Sequence, residues 1–441
     1  MIQGTDLMNK ILTKTLFASA LTLCAGAANA AAFQLQEVTT SGLGRAYAGE
    51  AAIADNAGVV ATNPALMTQF KRPEISMGGI WVNPSVNIEG EIGVPAVGYR
   101  VDAGYSDAIS SKFLPNAYWI YPIDEKFSVG GGANVNYGLA TEYNADYNAG
   151  LMGGTTDLTT INLNLSGAYR LDEHWSFGLG LDVVYAEAKL SRRVGGLAPL
   201  LNARLKMAGR SETILPTDFV TDLKGDDWGI GYNAGATYQI NPNHRFGLAY
   251  HSKVKIKFDG TIENDLPAGL GGLTKHDGSV ELNLPDYWEF SGYHQLTSNW
   301  AIHYSYKLTK WSRVQRLQAY TDSGVQVFDK TEHFGDTSRV AFGTTYDVND
   351  KLTLRAGIAH DEGAAGRKSS ISIPDTHRMW YSLGATYRFT PNLSVDLAYA
   401  YVHGKTRTFR EVENVRGISV EGRYKVRSQV NLYGLNLNYR F

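Results

Sequence analysis

Cysteine is nearly absent from this chain. Its 441 residues contain one, Cys24, which lies in the N-terminal stretch. A disulfide-stapled scaffold is therefore excluded. Beyond that stretch no run of 18 apolar residues occurs, which excludes a transmembrane helix. Charge of either sign is not in excess: 41 basic residues face 43 acidic ones, giving a formal charge of −2 without long runs. No electrostatic footprint for a nucleic-acid partner is present. Catalytic signatures are missing as well. There is no G-x-S-x-G, no H-E-x-x-H and no phosphate loop, and the ten histidines are scattered without ligand spacing. We expect no catalytic residue, no metal and no cofactor, although a triad assembled from distant strands would leave no such mark.

At the N-terminus, Lys10 and Lys14 precede an apolar core from Leu16 to Leu23, followed by Ala28-Asn29-Ala30. This order reads as a secretory signal peptide, residues 1–30, cut after Ala30, with Met8 as an alternative initiator. A lipoprotein reading of Leu21-Thr22-Leu23-Cys24 is disfavoured, because the residue before the cysteine should be small. The exported chain then carries no cysteine.

What the rest of the chain has is period-two alternation. Phe177, Leu179, Leu181, Val183 and Tyr185 alternate mostly with Gly, Asp and Ser, and Ile161, Leu163 and Leu165 alternate with Asn and Ser. Each such segment is a strand with one apolar and one small or polar face. A soluble sandwich would also use such strands, so the connections decide. Six aromatic-flanked short turns recur, at Tyr121 to Phe127, Tyr169 to Ser176, Tyr238 to Phe246, Tyr293 to Trp300, Tyr346 to Leu352 and Tyr387 to Leu393. They join twelve strands, and the gaps between these pairs are much longer. An opening strand from Arg72 to Val86 and a closing one ending at Phe441 bring the number to about fourteen.

An even number of antiparallel strands with short turns at one end and long loops at the other describes an outer-membrane β-barrel. Closure satisfies every backbone group that lipid cannot. The mean hydropathy is slightly negative because only every second residue meets lipid. In the last strand Tyr433, Leu435, Leu437, Tyr439 and Phe441 are assigned to lipid, and Gly434, Asn436, Asn438 and Arg440 to the lumen. A terminal aromatic on the last strand suits recognition by the barrel assembly machinery.

Residues 31–71 do not alternate and are rich in Gly, Ala and short polar residues, with a helical look around Arg45 to Ala54. A lumen fourteen strands wide is an open channel unless filled. This segment is read as an N-terminal plug, and residues 72–441 as the barrel.

The stretches AAFQLQEVTTSGLGRAYAGEAAIADNAG at the mature start, NYGLATEY at 136–143, GGTTDLTTINLNLSGAYRL at 153–171, WSFGLGLDVVYAEAKL at 175–190 and SISIPD at 370–375 resemble the FadL family of long-chain fatty acid transporters. The resemblance runs along the whole chain. It implies a fourteen-stranded barrel with an N-terminal hatch. Ligand is captured among extracellular loops, passes to a tighter pocket and leaves sideways through a gap beside a kink in the third strand. Asn136-Tyr137-Gly138 occupies that place, and a glycine within a strand marks a bulge or bend.

A fatty acid needs a long apolar slot with cations at one end, since a buried carboxylate without a partner costs several kcal/mol. The resemblance places Arg192 and Lys330 at the head group, Leu190 along the slot and Phe33 near its floor. Ser191 and Arg193 flank Arg192 and leave the register open by one residue; solvated loop cations are the plain alternative. Leu197, Leu200, Leu201 and Leu205 in the third long loop are spaced for one face of a helix, which either captures ligand, opposite Leu266 to Leu273, or caps the barrel mouth. Asn63-Pro64-Ala65 reads as a turn, to which the resemblance adds a gating role beside the wall gap.

The sequence thus points to passive, ligand-gated uptake of long-chain fatty acids across a Gram-negative outer membrane. The expected partners are the fatty acids, outer-membrane lipid and the assembly machinery, with the protein acting as a monomer. A channel for other hydrophobic compounds, such as aromatic hydrocarbons, stays open. So do a porin for hydrophilic solutes, against which the plug speaks, and a membrane-embedded hydrolase.

Overall fold

The computed structural model describes residues 32–267, 270, 272–366, 369–415 and 418–441. The signal peptide and Cys24 lie outside the described residues. Among these residues no helix is long and apolar enough to cross a membrane. The alternating segments instead form a closed wall of fourteen antiparallel strands. These are β1 (Glu74–Val94), β2 (Lys112–Pro122), β3 (Phe127–Asn134 continuing as Gly138–Glu142), β4 (Thr155–Arg170), β5 (Trp175–Arg193), β6 (Phe219–Asn241) and β7 (His244–His251 and Val254–Glu263). The second half comprises β8 (His276–Leu284 and Tyr287–Thr297), β9 (Trp300–Thr309 and Arg316–Thr321), β10 (Gln326–Thr331 and Thr337–Asp347), β11 (Leu352–Asp361), β12 (Arg378–Arg388), β13 (Leu393–Gly404 and Arg407–Val415) and β14 (Ile418–Arg440).

β1 closes on β14 in an unbroken register from Glu74↔Arg440 to Gly93↔Glu421. At this seam neither β1 nor β14 leaves an edge to face lipid. All six short turns fall where the aromatic-flanked units place them. Carboxylates organise two of them: Asp124 accepts from the N–H groups of Lys126 and Phe127 at 2.7 and 2.8 Å, and Asp172 from His174 and Trp175 at 2.8 and 2.7 Å. On β14 Tyr433, Leu435, Leu437 and Tyr439 point outward, while Leu432, Asn436 and Asn438 are buried.

β1 is longer than the expected strand ending at Val86. Ile88, Ile92 and Val94 keep a buried face going, and a short strand, Tyr99–Asp102, folds back on its outer end. The wall here stands above the membrane and supports the extracellular loops.

Residues 32–71 lie inside the barrel, almost entirely buried. The helix expected around Arg45 to Ala54 is displaced toward the N-terminus. It is one turn, α1 (Thr40–Leu43), capped by the Thr39 hydroxyl, which accepts from Gly42 N–H at 3.1 Å. It stops because Ala46, Tyr47 and Gly49 take positive φ, and the chain turns tightly through the lumen. A second turn, α2 (Val59–Thr62), leads into a 3₁₀ helix, Pro64–Gln69.

Two kinds of contact hold this body. Leu43, Ala46 and Tyr47 pack on Ile80, Leu114 and Trp380 of the wall. The buried Arg45 guanidinium pairs with Glu50 at 2.7 Å and with Asp55, and Asp55 also pairs with Arg355 of β11 at 3.4 Å. The small residues permit close approach: a Cβ on Gly384 of β12 would lie 2.6 Å from Gly44 Cα.

Candidate functional site

β3 is interrupted between Asn134 and Gly138. Its pairing with β2 ends at Asn116↔Asn134, although β2 continues to Lys112, and on the other side four steps of β3 face three of β4. The freed backbone is covered from inside by the start of the plug. Leu35 N–H donates to Asn136 O at 3.0 Å and Gly138 N–H donates to Phe33 O at 2.9 Å, so Gln34 bridges Tyr137 as an extra strand residue. Thr160 of β4 completes the closure by accepting from Tyr137 N–H at 3.1 Å. Asn136, Tyr137 and Gly138 therefore form one interruption of the wall, covered from inside by residues 33–35.

Phe33 is buried beside this interruption, edge-on to Trp311 with ring centroids 4.8 Å apart and 6.2 Å from the Tyr137 ring. It also walls an apolar cavity of about 100 Å³ together with Leu190, Leu139, Phe258, Leu282 and Phe328. Leu139 directly follows the break, so one slot connects the start of the plug to the strand interruption.

Above the slot lies a second cavity of about 460 Å³, lined by both Arg192 and Lys330. Phe328 is common to the two spaces. Arg192 is 5 % exposed and donates to Thr155 O at 3.0 Å, Ser191 O at 2.7 Å and Thr156 Oγ1 at 3.1 Å. Arg193 points elsewhere and stacks on Phe219 at 3.9 Å. Arg192, and not Arg193, lines this cavity. Lys330 is not on a free loop: it sits on the outer segment of β10, opposite Leu317 of β9. Its ammonium donates to Ser370 Oγ at 2.9 Å and Ser372 Oγ at 2.7 Å.

The outermost space is a groove of about 380 Å³ beneath α3 (Ala198–Met207). Leu197, Leu200, Leu201 and Leu205 line it, with Leu266 and Leu270 of the fourth loop opposite. Leu151, Val220 and Leu266 border both the groove and the second cavity. The three spaces therefore run in series from the extracellular surface to the break in β3.

Asn63-Pro64-Ala65 lies apart from the break. Asn63 accepts from Ala65 N–H at 3.1 Å, capping the 3₁₀ helix, and donates to Ala51 O at 2.7 Å and to Ala236 O of β6 at 3.3 Å. Pro64 and Ala65 rest on Gly178 of β5. Thr62, the residue before the turn, shares a polar cavity of about 50 Å³ with Asn136 and Tyr137.

Residues 21–441 match the family model described as outer membrane protein transport protein (OMPP1/FadL/TodX). The chain belongs to this family. It is 50 % identical to a 47 kDa outer membrane protein of Pasteurella multocida, with 97 % of this chain and 98 % of that one covered. Identity is 47 % with outer membrane protein P1 of Haemophilus influenzae Rd (98 % and 100 % covered) and 44 % with a long-chain fatty acid transport protein of Escherichia coli O6:H1 (98 % and 99 %). In fold it is similar to a Pseudomonas aeruginosa FadL homologue (TM-score 0.83, 22 % identity, 93 % and 100 % covered) and to the Pseudomonas putida toluene transporter TodX (0.67, 18 %, 90 % and 98 %). As a FadL-family barrel it resides in the Gram-negative outer membrane and transports hydrophobic compounds; it is not an enzyme.

Several residues that shape this FadL-family route were invisible in the sequence. Trp311 and Phe328 come from the β9–β10 region, Leu139 from beyond the break and Phe258 from β7. Each is an ordinary apolar strand or loop residue until the barrel brings them together. Ser370 and Ser372 carried one signal, the SISIPD stretch, but no indication that they would hold Lys330.

Proposed function

We propose that the protein takes up long-chain fatty acids passively, with the ligand itself opening the gate. The tail enters the groove under α3, and the carboxylate then binds Arg192 and Lys330 while the chain fills the slot below. Arg and Lys at the mouth of an apolar slot suit a ligand with one charged end, because the charge-assisted bonds offset desolvation of that end only. One observation carries the gating: Phe33 walls the slot, and its own backbone carbonyl bonds the break in β3. A tail that displaces Phe33 therefore pulls the lid from the hole, and the ligand leaves sideways between β2 and β3 into the bilayer. No energy source is required beyond a concentration difference and consumption of the ligand inside.

The missing cysteine makes the test clean. In Gln34→Cys/Tyr137→Cys the bridged positions form the sole disulfide of the exported chain. Uptake of labelled oleate should cease in the oxidised variant and return on reduction. Uptake that continues in the oxidised state overturns lateral release. Separately, Arg192→Ala/Lys330→Ala should weaken oleate binding, and unchanged affinity removes the pair from the mechanism.

A channel for uncharged hydrophobic compounds is the second reading. It is favoured by the acids around Lys330, Glu411 at 3.7 Å and Glu332 at 3.8 Å, which already balance its charge. Equal uptake of oleate and toluene would support it.

A further inference from the structure

Lys330 and Arg192 lie in the field of the same two acids, Glu411 and Glu332. Glu411, on the outer segment of β13, is 3.7 Å from the Lys330 ammonium. It is 7 % exposed. Its two carboxylate oxygens are both engaged: Oε1 accepts from Ser370 Oγ at 2.6 Å, and Oε2 accepts from Ile371 N–H at 3.2 Å. Glu332 is as near to Lys330, but its Oε1 has no hydrogen-bond partner among the described residues.

The segment that Glu411 grips is the SISIPD stretch, and alternate residues of it face different spaces. Ser370 and Ser372 hold Lys330. Ile371 packs with Leu197 and Leu205 beneath the groove, whereas Ile373 packs with Phe33 and Trp311 around the slot. Asp375 accepts from Ala365 N–H at 2.9 Å and reaches the backbone of Ala32, at the start of the plug. A change at Lys330 thus reaches both the slot and the start of the plug through the Ser370 and Ser372 hydroxyls and a short run of chain.

We propose that Glu411 is the resident counter-ion of the Arg192–Lys330 pair, that a ligand carboxylate displaces it, and that the displacement releases residues 370–375 from their hold on the slot and the plug. The inference rests on the head-group role proposed above. Two carboxylates cannot share these cations without repulsion, so each weakens the other's binding. Glu411 then sets selectivity: it lowers affinity for carboxylate ligands and leaves uncharged ones unaffected.

The test compares oleate with oleyl alcohol, which has the same chain and no charge, on the full exported chain in detergent micelles. Folding is monitored by the heat-modifiable electrophoretic mobility of barrels. Glu411→Gln should bind oleate about tenfold more tightly and oleyl alcohol as the wild type does, since a like charge beside the ligand has been removed. Amide exchange at Ile371 should rise when the wild type is saturated with oleate and should not rise with oleyl alcohol. Unchanged or weaker oleate binding, equal tightening of both ligands, or an Ile371 amide that stays protected overturns the proposal. Arg192→Ala/Lys330→Ala separates the two levels. If that variant still prefers oleate over oleyl alcohol, the head-group reading fails; if it loses the preference while Glu411→Gln changes nothing, only the counter-ion falls. Should Glu411→Gln not fold, Glu411→Asp withdraws the charge by one methylene, and a smaller tightening for oleate alone is the required result.

Discussion

The plug has two parts, and they are fastened differently. Residues 33–38 are tied by main-chain bonds to the break in β3 and by single bonds from wall side chains: Gln34 accepts from Thr309 at 3.1 Å, and Gln36 accepts from the Lys307 ammonium at 2.9 Å. Residues 40–70 are tied by the buried Arg45–Glu50–Asp55–Arg355 network and by backbone packed directly on wall glycines. Removing one partner of a buried ion network strands the other charges, whereas hydrogen bonds made singly exchange with water at smaller net cost. On the gating proposed above, release of the short end needs less free energy than expulsion of the whole plug.

Breaking the body should have the largest effect. Arg45→Ala leaves Asp55 and Glu50 buried without their common cation, and we expect a loss of about 3 kcal/mol in plug docking. It should show as ion conductance in planar bilayers, where the wild type is closed. Retained closure would mean that apolar packing alone secures the body.

Next comes Gly384→Val, which drives a side chain into Gly44 at the end of α1. Overpacking at such a contact costs about 1–3 kcal/mol. The variant should unfold at lower urea than wild type while native-state exchange at the Leu35 amide keeps its wild-type rate. Faster exchange at Leu35 would show that the two parts are less separate than their contacts suggest.

Phe33→Ala addresses the short end. It removes the edge-on contact with Trp311, worth about 0.5–1.5 kcal/mol beyond the lost area. Exchange at the Leu35 and Gly138 amides should accelerate, with protection in β11 and β12 unaltered. Equal acceleration throughout would dissolve the distinction between gate and body.

The smallest effect is expected far from either part. The backbone N–H groups of Trp175 and His174 hold the Asp172 carboxyl below the ordinary range. A carboxyl depressed in the folded state contributes its stabilisation above the unfolded pKa and loses it as pH falls through the folded one. Below pH about 4, the ordinary carboxylate range, the His174 and Trp175 amides should loosen in NMR spectra while those at Leu35 and Gly138 keep their protection. Loosening at the break in the same pH range would tie the gate to the periplasmic turns.

Much of the wall was legible from the sequence because a barrel strand solves a local problem. Lipid on one side and a crowded lumen on the other impose a period of two, and short turns between adjacent strands impose a near-neighbour order. Phe177 to Tyr185 and the six aromatic-flanked turns carry that information within a few residues. The plug was less legible: the turn taken at Ala46 and Tyr47 answers to the surrounding wall, so the local helical look around Arg45 to Ala54 misplaced the helix. Arg192, Lys330, Leu190 and Phe33 were located by resemblance, and their mutual arrangement was not in the sequence at all.

Period-two alternation, the number of strands, their antiparallel order and the presence of a non-alternating segment to fill the lumen were fixed by the sequence, since each depends on residues close in the chain. Tertiary structure alone decided that Phe33 lids the break at Asn136-Tyr137-Gly138 and that Arg192 rather than Arg193 enters the cavity. It alone also placed Glu411 of β13 within 3.7 Å of the Lys330 ammonium of β10. Those outcomes depend on closure, which joins residues hundreds of positions apart and leaves no trace in the spacing of either partner.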